Sequence, residues 1–142
     1  MTSDANALVD TGFLVALCDR RDQHHAWAVG VAAKLRGPWL TCEACICEID
    51  HLLDFLTPPQ SHWIYELLAS GAVLSTHLLP EQLAGVQAEI ARYRSRRVDF
   101  ADACLVVVSD EFTSLPVVTT DAADFAVYFR GRGRRKLIVP SR

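Results

Sequence analysis

Short apolar runs alternate along the chain with longer segments whose apolar residues recur at helical spacing. The runs predict buried strands, and helical segments lie between most of them. The predicted strands are ALVD (7–10), PWLT (38–41), AVLSTHLL (72–79), LPVVTT (115–120) and KLIVP (136–140). Apolar strands that alternate with helices are typical of a mostly parallel sheet covered on both faces. The pattern therefore predicts an α/β domain with a central sheet of four to five strands.

Capping residues and helix breakers predict where the helices begin and end. Asp22 and Ser61 are suited to cap helices, and Pro80 is suited to the first position of one. The run DFADACLVVVSDEF (99–112) is ambiguous, because its valines favour a strand whereas its length and its Ala and Leu content favour a helix. The other predicted helices cover residues 12–20, 22–35, 42–56, 61–71 and 80–94.

Length and composition describe one globular domain, residues 1–142. Apolar residues make up 51% of the chain and charged residues 22%, which excludes a disordered chain. No apolar run approaches the roughly 20 residues of a membrane span, and no signal-peptide pattern opens the sequence. We therefore expect a cytoplasmic protein that does not enter a membrane.

The five cysteines do not predict a disulfide framework, because their number is odd and no secretory signal accompanies them. The cluster CEACIC (42–47) invites comparison with zinc sites, but a structural zinc site needs a second Cys or His pair. None stands out, and the five histidines show no ligand spacing. The cysteines are better interpreted as small buried hydrophobic residues.

The net charge of −3 is unevenly distributed. Nine of the 14 basic residues lie in two clusters, which leaves five against 17 acidic residues elsewhere. Such a chain is suited to bind a polyanion at one place and a cation at another; the alternative is two solvated surface segments. The clusters are Arg92, Arg94, Arg96 and Arg97, and Arg130, Arg132, Arg134, Arg135 and Lys136.

The stretch LVDTG (8–12) has two interpretations. It resembles the active-site loop of an aspartic protease, and it also suits an acid at the tip of a short buried strand. Aspartic proteases are mostly β and need many hairpins, whereas this chain has helices and neither Asn-Gly nor Asp-Gly turns. The pattern therefore favours an acid at a strand end.

Carboxylates follow the predicted strands where a parallel sheet would bring them together. Asp10 ends the first strand and Asp121 follows the fourth, so the two flank one crevice if these strands are neighbours. Glu48 lies on the helix after the second strand, and Asp99 and Asp102 share one face of the segment 99–112. Crowded carboxylates raise one another's pKa unless a cation neutralises them, and hard oxygen ligands suit Mg²⁺ or Mn²⁺.

Some of these acids have competing interpretations. Asp99 is equally suited to cap the helix that begins after it. Asp121 is also suited to cap the short turn AADF (122–125). Asp124, one turn beyond Asp121, is more suited to a cap or a supporting group than to a ligand. Glu48 has rivals in Glu43 and Asp50, but its neighbours Ile46, Ile49 and Leu52 form an inward stripe.

Four stretches, in this order, resemble the PIN-domain ribonucleases, and most closely the VapC-type toxins of bacterial toxin–antitoxin pairs. They are LVDTGFLVALCDRRDQHHAWA, LTCEACICEIDHLL, VDFADACLVVVSDE, and VVTTDAADFAVYF followed by RGRGRRKLIVP. Together they span nearly the whole chain. The resemblance implies a small three-layer α/β fold and Mg²⁺- or Mn²⁺-dependent cleavage of RNA phosphodiesters.

The resemblance also assigns roles to residues. The family's acids fall on Asp10, Glu48, Asp102 and Asp121 as catalytic metal ligands, and Asp99 matches an acid found in many members. It implies a homodimer and a cognate antitoxin that covers the groove. Cys42, Cys45 and Cys47 depart from the family's usual aliphatic residues, which leaves Glu43 as the fallback for Glu48.

Other functions fit parts of the sequence. The same fold serves as a nuclease in RNA processing without any toxin role, and a non-catalytic domain that binds metal or RNA is a further alternative. A small-molecule phosphatase is disfavoured, because Asp10-Thr-Gly lacks the second Asp that aspartate-nucleophile phosphatases carry two residues on.

Overall fold

A single sheet lies at the centre of the fold. The computed structural model describes residues 4–96 and 98–141. The strands are β1 (Ala7–Val9), β2 (Trp39–Cys42), β3 (Val73–Thr76), β4 (Val117–Val118) and β5 (Leu137–Ile138). Their order across the sheet is β3-β2-β1-β4-β5, and every pair is parallel. The predicted α/β architecture is confirmed, and the sheet has five strands, the upper end of the expected four to five.

The first strand, β1, occupies the middle of the sheet. Leu8 pairs with Leu40 of β2 on one side and with Val117 of β4 on the other. Every residue of β1 and β2 is buried, so both faces of the sheet are covered here. Because both faces of β1 are buried, its residues are all apolar. The next residue, Asp10, lies at the carboxyl edge of the sheet.

Helices connect the strands and cover the sheet. None of those in the described ranges is long and apolar enough to cross a membrane. They are α1 (Thr11–Cys18), α2 (His25–Lys34), α3 (Glu43–Asp54), α4 (His62–Ala69), α5 (Leu83–Arg92), α6 (Phe100–Glu111) and α7 (Ala122–Tyr128), with a short 3₁₀ turn at Arg94–Arg96.

Two predicted helix starts were wrong. Helix α2 begins at His25 rather than near Asp22, because the Asp22 carboxylate accepts a hydrogen bond from the His24 N–H in a preceding turn. Helix α5 begins at Leu83 rather than Pro80, which instead belongs to a turn closed by the Leu83 N–H. Ser61 does precede α4, but its side chain makes no capping hydrogen bond.

Two further predictions concern the helices of the C-terminal third. The ambiguous run 99–112 is the helix α6, and its three valines are buried in the core, so tertiary packing overrides their strand preference. The segment after Asp121, predicted as a short turn, is the helix α7. Asp121 caps this helix, and Phe125 and Tyr128 anchor it in the core.

The cysteines divide between core and surface. All five are free, and Cys42, Cys45 and Cys104 are buried together in the core, with the Cys42 and Cys45 Sγ atoms 3.6 Å apart. The interpretation of the cysteines as buried hydrophobic residues is right for these three. It is wrong for Cys47, which is exposed on α3.

The C-terminal basic cluster is partly internal. The Arg132 guanidinium donates to the Tyr128 carbonyl at 2.9 Å, to Asp110 at 2.5 Å and to Glu89, while Arg135 donates to Asp110 at 3.0 Å. The Arg132 side chain is only 11% exposed, and Glu89 is buried. These two arginines therefore join α5, α6 and the C-terminal segment.

A smaller basic surface remains. Arg130, Arg134 and Lys136 are exposed, as is the first cluster from Arg92 to Arg96, although Arg96 forms an ion pair with Asp124. Arg97 lies outside the described residues. The two sequence interpretations of the clusters, polyanion binding and solvated surface, thus apply to the exposed residues only.

Candidate active site

Asp10 is the most enclosed of the predicted site residues. It caps α1 by accepting the Phe13 N–H at 2.8 Å with one oxygen, and it accepts the Thr119 hydroxyl with the other. The residue is 5% exposed, and desolvation by burial raises the pKa of its carboxyl to about 6. Asp121 and Glu48 add smaller repulsive contributions. The carboxylate is therefore held in one orientation among other acids.

Asp102 lies near the start of α6 and faces the same edge. Burial, followed by the charge of Asp99, raises the pKa of its carboxyl to about 8. Asp10, Glu48 and Asp121 raise it further by smaller amounts. These acids come from four separate parts of the chain, and their mutual repulsion shows that the fold brings them into one neighbourhood.

Glu48 is selected among its rivals by the geometry of α3. Its Oε1 accepts the Thr11 hydroxyl at 2.8 Å, and burial raises its pKa. Asp50 instead accepts the Tyr65 hydroxyl at 2.8 Å, and Glu43 lies exposed at the start of the helix. The structure therefore places Glu48, and not the fallback Glu43, beside α1 and the other acids.

Asp99 and Asp121 are both exposed helix caps. Asp99 accepts the Asp102 N–H at 2.7 Å, which confirms that it caps α6, and its second oxygen is free of the cap. Asp121 caps α7 by accepting the Asp124 N–H at 3.1 Å, and burial, with Asp124 next, raises its pKa. Each of these carboxylates therefore uses one oxygen to cap a helix.

Asp10 and Asp121 lie on neighbouring strand ends, as expected, because β1 pairs with β4. Asp124 lies beside Asp121 but forms an ion pair with Arg96 at 2.8 Å, which lowers its pKa. Asp124 thus brings a basic side chain close to this edge, in the supporting position that the sequence suggested.

Sequence reasoning missed the role of Thr119. Its hydroxyl donates to Asp10 and accepts the Asp121 N–H at 2.9 Å, so this buried side chain connects the ends of β1 and β4. Tyr128 was missed as well, and its hydroxyl lies 3.4 Å from Asp102 Oδ2. The signal for Thr119 was a polar residue near the end of the predicted strand LPVVTT, two positions before Asp121, whereas nothing in the local sequence pointed to Tyr128.

The donor set has the chemistry of a hard-cation site. Its members are carboxylates, and the raised pKa values of the buried ones show that positive charge would be favourable here. Within residues 4–96 and 98–141, however, no three His, Cys, Asp or Glu side chains stand in an arrangement that could hold a metal ion. The acids therefore share an edge without converging on one point.

The raised pKa values predict how the metal-free protein responds to pH. Asp10 and Asp102 have folded pKa values of about 6 and about 8, above the ordinary value of 3.8 for an aspartate. Their contribution to stability is complete below about pH 4 and is lost as pH rises through these values. We expect the free energy of unfolding of the unmodified chain to fall as the pH rises from about 5 to about 8. In Asp102→Asn this fall is expected to be smaller by a few kcal/mol. Urea unfolding in the presence of EDTA measures both.

The control for this measurement is Asp54→Asn, which changes an exposed carboxylate on α3. Its pH dependence is expected to match that of the unmodified chain. Equal slopes for Asp102→Asn and Asp54→Asn would contradict a half-buried, protonated Asp102.

Comparison with known proteins agrees with this fold. The family model described as the PIN domain matches residues 7–128. The crystal structure of Mycobacterium tuberculosis VapC20, described as a sarcin-ricin loop cleaving toxin, is similar with a TM-score of 0.75 and 21% sequence identity. The match covers 85% of this chain and 94% of that one. Among curated proteins, no sequence matches significantly.

Proposed function

Since this chain belongs to the PIN-domain family, we propose that it is a metal-dependent endoribonuclease and the toxin of a VapBC-type toxin–antitoxin pair. The observation that carries the proposal is the gathering of Asp10, Glu48, Asp102 and Asp121 at one sheet edge, where burial raises the pKa of each. The similar M. tuberculosis protein is described as a toxin that cleaves the sarcin-ricin loop, which supports RNA as the substrate class.

The residues proposed to hold Mg²⁺, or Mn²⁺ in its place, are Asp10, Glu48, Asp102 and Asp121, with Asp99. Their carboxylates would have to turn toward the ion, because no three side chains of the described residues already stand in a metal-binding arrangement. A bound divalent ion would lower the pKa of a water molecule and neutralise charge on the phosphate. The chain's hydroxyl groups do the positioning: Thr119 orients Asp10, and Thr11 orients Glu48. Asp102, with a pKa of about 8, holds a proton at neutral pH in the metal-free chain and would give it up as a ligand of a divalent cation.

We propose a cognate antitoxin as the protein partner. A cavity of about 530 Å³ lies between the end of α1 and α4, where Leu56, Trp63 and Leu67 supply apolar surface and Arg20 and Arg21 supply positive charge. Such a surface suits a peptide with apolar and acidic side chains. A cytoplasmic location and a homodimer belong to the same proposal.

The purified chain is expected to cut total cellular RNA into discrete fragments in Mg²⁺ or Mn²⁺ and to stop in EDTA. The reason is that five crowded carboxylates cannot hold an anionic phosphate without a cation between them. The measurement is gel separation of the fragments followed by sequencing of their ends. Cleavage that persists in EDTA would contradict the metal dependence, and intact RNA under every condition would contradict the nuclease.

A further inference from the structure

A second concave site opens at the same edge of the sheet, one strand away from Asp10. It has a volume of about 190 Å³ and lies over the paired ends of β2 and β3, at Cys42 and Thr76. Neighbouring strands are about 4.8 Å apart, so this pocket is within a nucleotide's reach of the acids. The residues that characterise it are Cys42, Glu43, His77, Leu79, Phe100 and Cys104.

The first turn of α6 separates this pocket from the acids. Asp99 and Asp102 are three residues apart and face the acids, whereas Phe100 and Cys104 are four residues apart and line the pocket. Phe100 is 47% exposed, although its neighbours Ala101 and Ala103 are buried. A large aromatic side chain is thus presented to solvent directly beside a proposed ligand.

The lining excludes a phosphate and suits a neutral ring. None of the described residues around the pocket is Lys or Arg, and Glu43 would repel an anion. The wall is apolar or thiol, with Leu79 44% exposed beside Phe100, while His77 and Glu43 offer polar atoms at the rim. Proteins that read single-stranded RNA stack splayed bases on aromatic side chains and bond to their edges.

We propose that this pocket binds one unpaired base of the RNA, next to the scissile phosphate, by stacking it on Phe100. His77 and Glu43 face the edge of that base and favour some bases over others. The inference rests on the proposed ribonuclease function and adds to it a subsite that holds the RNA strand in register with the acids.

The test begins with a random-sequence, single-stranded RNA library cut by the chain in Mn²⁺, with the ends sequenced. One oligonucleotide that is cut is then prepared with an abasic site at each position in turn. Phe100→Ala is expected to lower the rate of cleavage by about 5- to 100-fold, the loss that follows removal of one base–aromatic stack. Phe100→Tyr is expected to keep the rate.

The abasic series separates stacking from a structural effect. An abasic site at one position beside the cut is expected to slow cleavage by the unmodified chain by a similar factor. The same abasic site is expected to cause no further loss of rate in Phe100→Ala, because that variant has already lost the interaction. Phe55→Ala is the matched control, since Phe55 is 75% exposed at the end of α3 and outside the pocket. This variant is expected to cut like the unmodified chain.

Three results would overturn the proposal. Phe100→Ala that cuts at an unchanged rate would exclude the subsite and leave the ribonuclease in place. A changed oligomeric state of Phe100→Ala in sedimentation would show that Phe100 contacts a second copy of the chain instead. Intact library and intact total RNA with the unmodified chain would refute the ribonuclease, and the subsite with it.

Discussion

Asp10→Asn is expected to lower RNA cleavage by on the order of a hundredfold or more, as removal of one preorganised charge from a reacting centre does. Asp10 contributes the most enclosed carboxylate of the edge, and both of its oxygens are oriented by the chain's own donors. The amide oxygen of Asn still accepts the Phe13 N–H, so α1 keeps its cap. Because burial raises the pKa of Asp10 to about 6, the neutral amide also removes a desolvation cost at neutral pH.

The measurement pairs initial cleavage rates with thermal unfolding in EDTA. We expect the variant to be inactive and at least as stable as the unmodified chain near pH 7, a combination that a merely misfolded protein does not show. Asp54→Asn, on the exposed side of α3, is the control for the loss of one carboxylate. Rapid cleavage by Asp10→Asn would exclude Asp10 from the catalytic machinery.

Arg132→Ala is expected to reduce the free energy of unfolding by about 3–5 kcal/mol, because it leaves Glu89 buried without its cation. It also removes the hydrogen bonds to the Tyr128 carbonyl and to Asp110. For a domain of this size, the loss corresponds to a fall of roughly 10 °C or more in the unfolding temperature. Calorimetry or urea unfolding measures it directly.

Arg134→Ala is the matched control, since Arg134 is exposed two residues away. It is expected to change stability by no more than about 0.5 kcal/mol. The double variant Glu89→Ala with Arg132→Ala is expected to be less destabilised than the sum of its parts, because neither charge is left alone. Equal effects of Arg132→Ala and Arg134→Ala would contradict the internal role of Arg132.

The sheet could be predicted from sequence because its strands are apolar on both faces. ALVD and LPVVTT read as strands without any knowledge of their neighbours, and the parallel arrangement followed from the helices between them. The helix starts at His25 and Leu83 could not be predicted in this way. Each is decided by hydrogen bonds of the preceding turn, and Asp22 and Pro80 suit both a turn and a helix start.

The candidate site was predictable where acids stand next to strand ends. Asp10 and Asp121 depend only on the order of the strands, and the pairing of β1 with β4 brings them together. Their function as metal ligands stays a prediction. Thr119 and Arg132 could not be assigned from the sequence, since the contacts that define them join residues 109 and 43 positions apart.

The central position of β1 determines when during synthesis the site can form. Asp10 is made before Thr119, which holds its carboxylate and follows 109 positions later. Contacts between residues so distant in sequence form late, because the intervening chain must first close into a loop. A nascent chain that has not reached β4 carries Asp10, Glu48 and Asp102 without the strand that orients the first of them. The edge that gathers these acids is therefore complete only after β4 has been made.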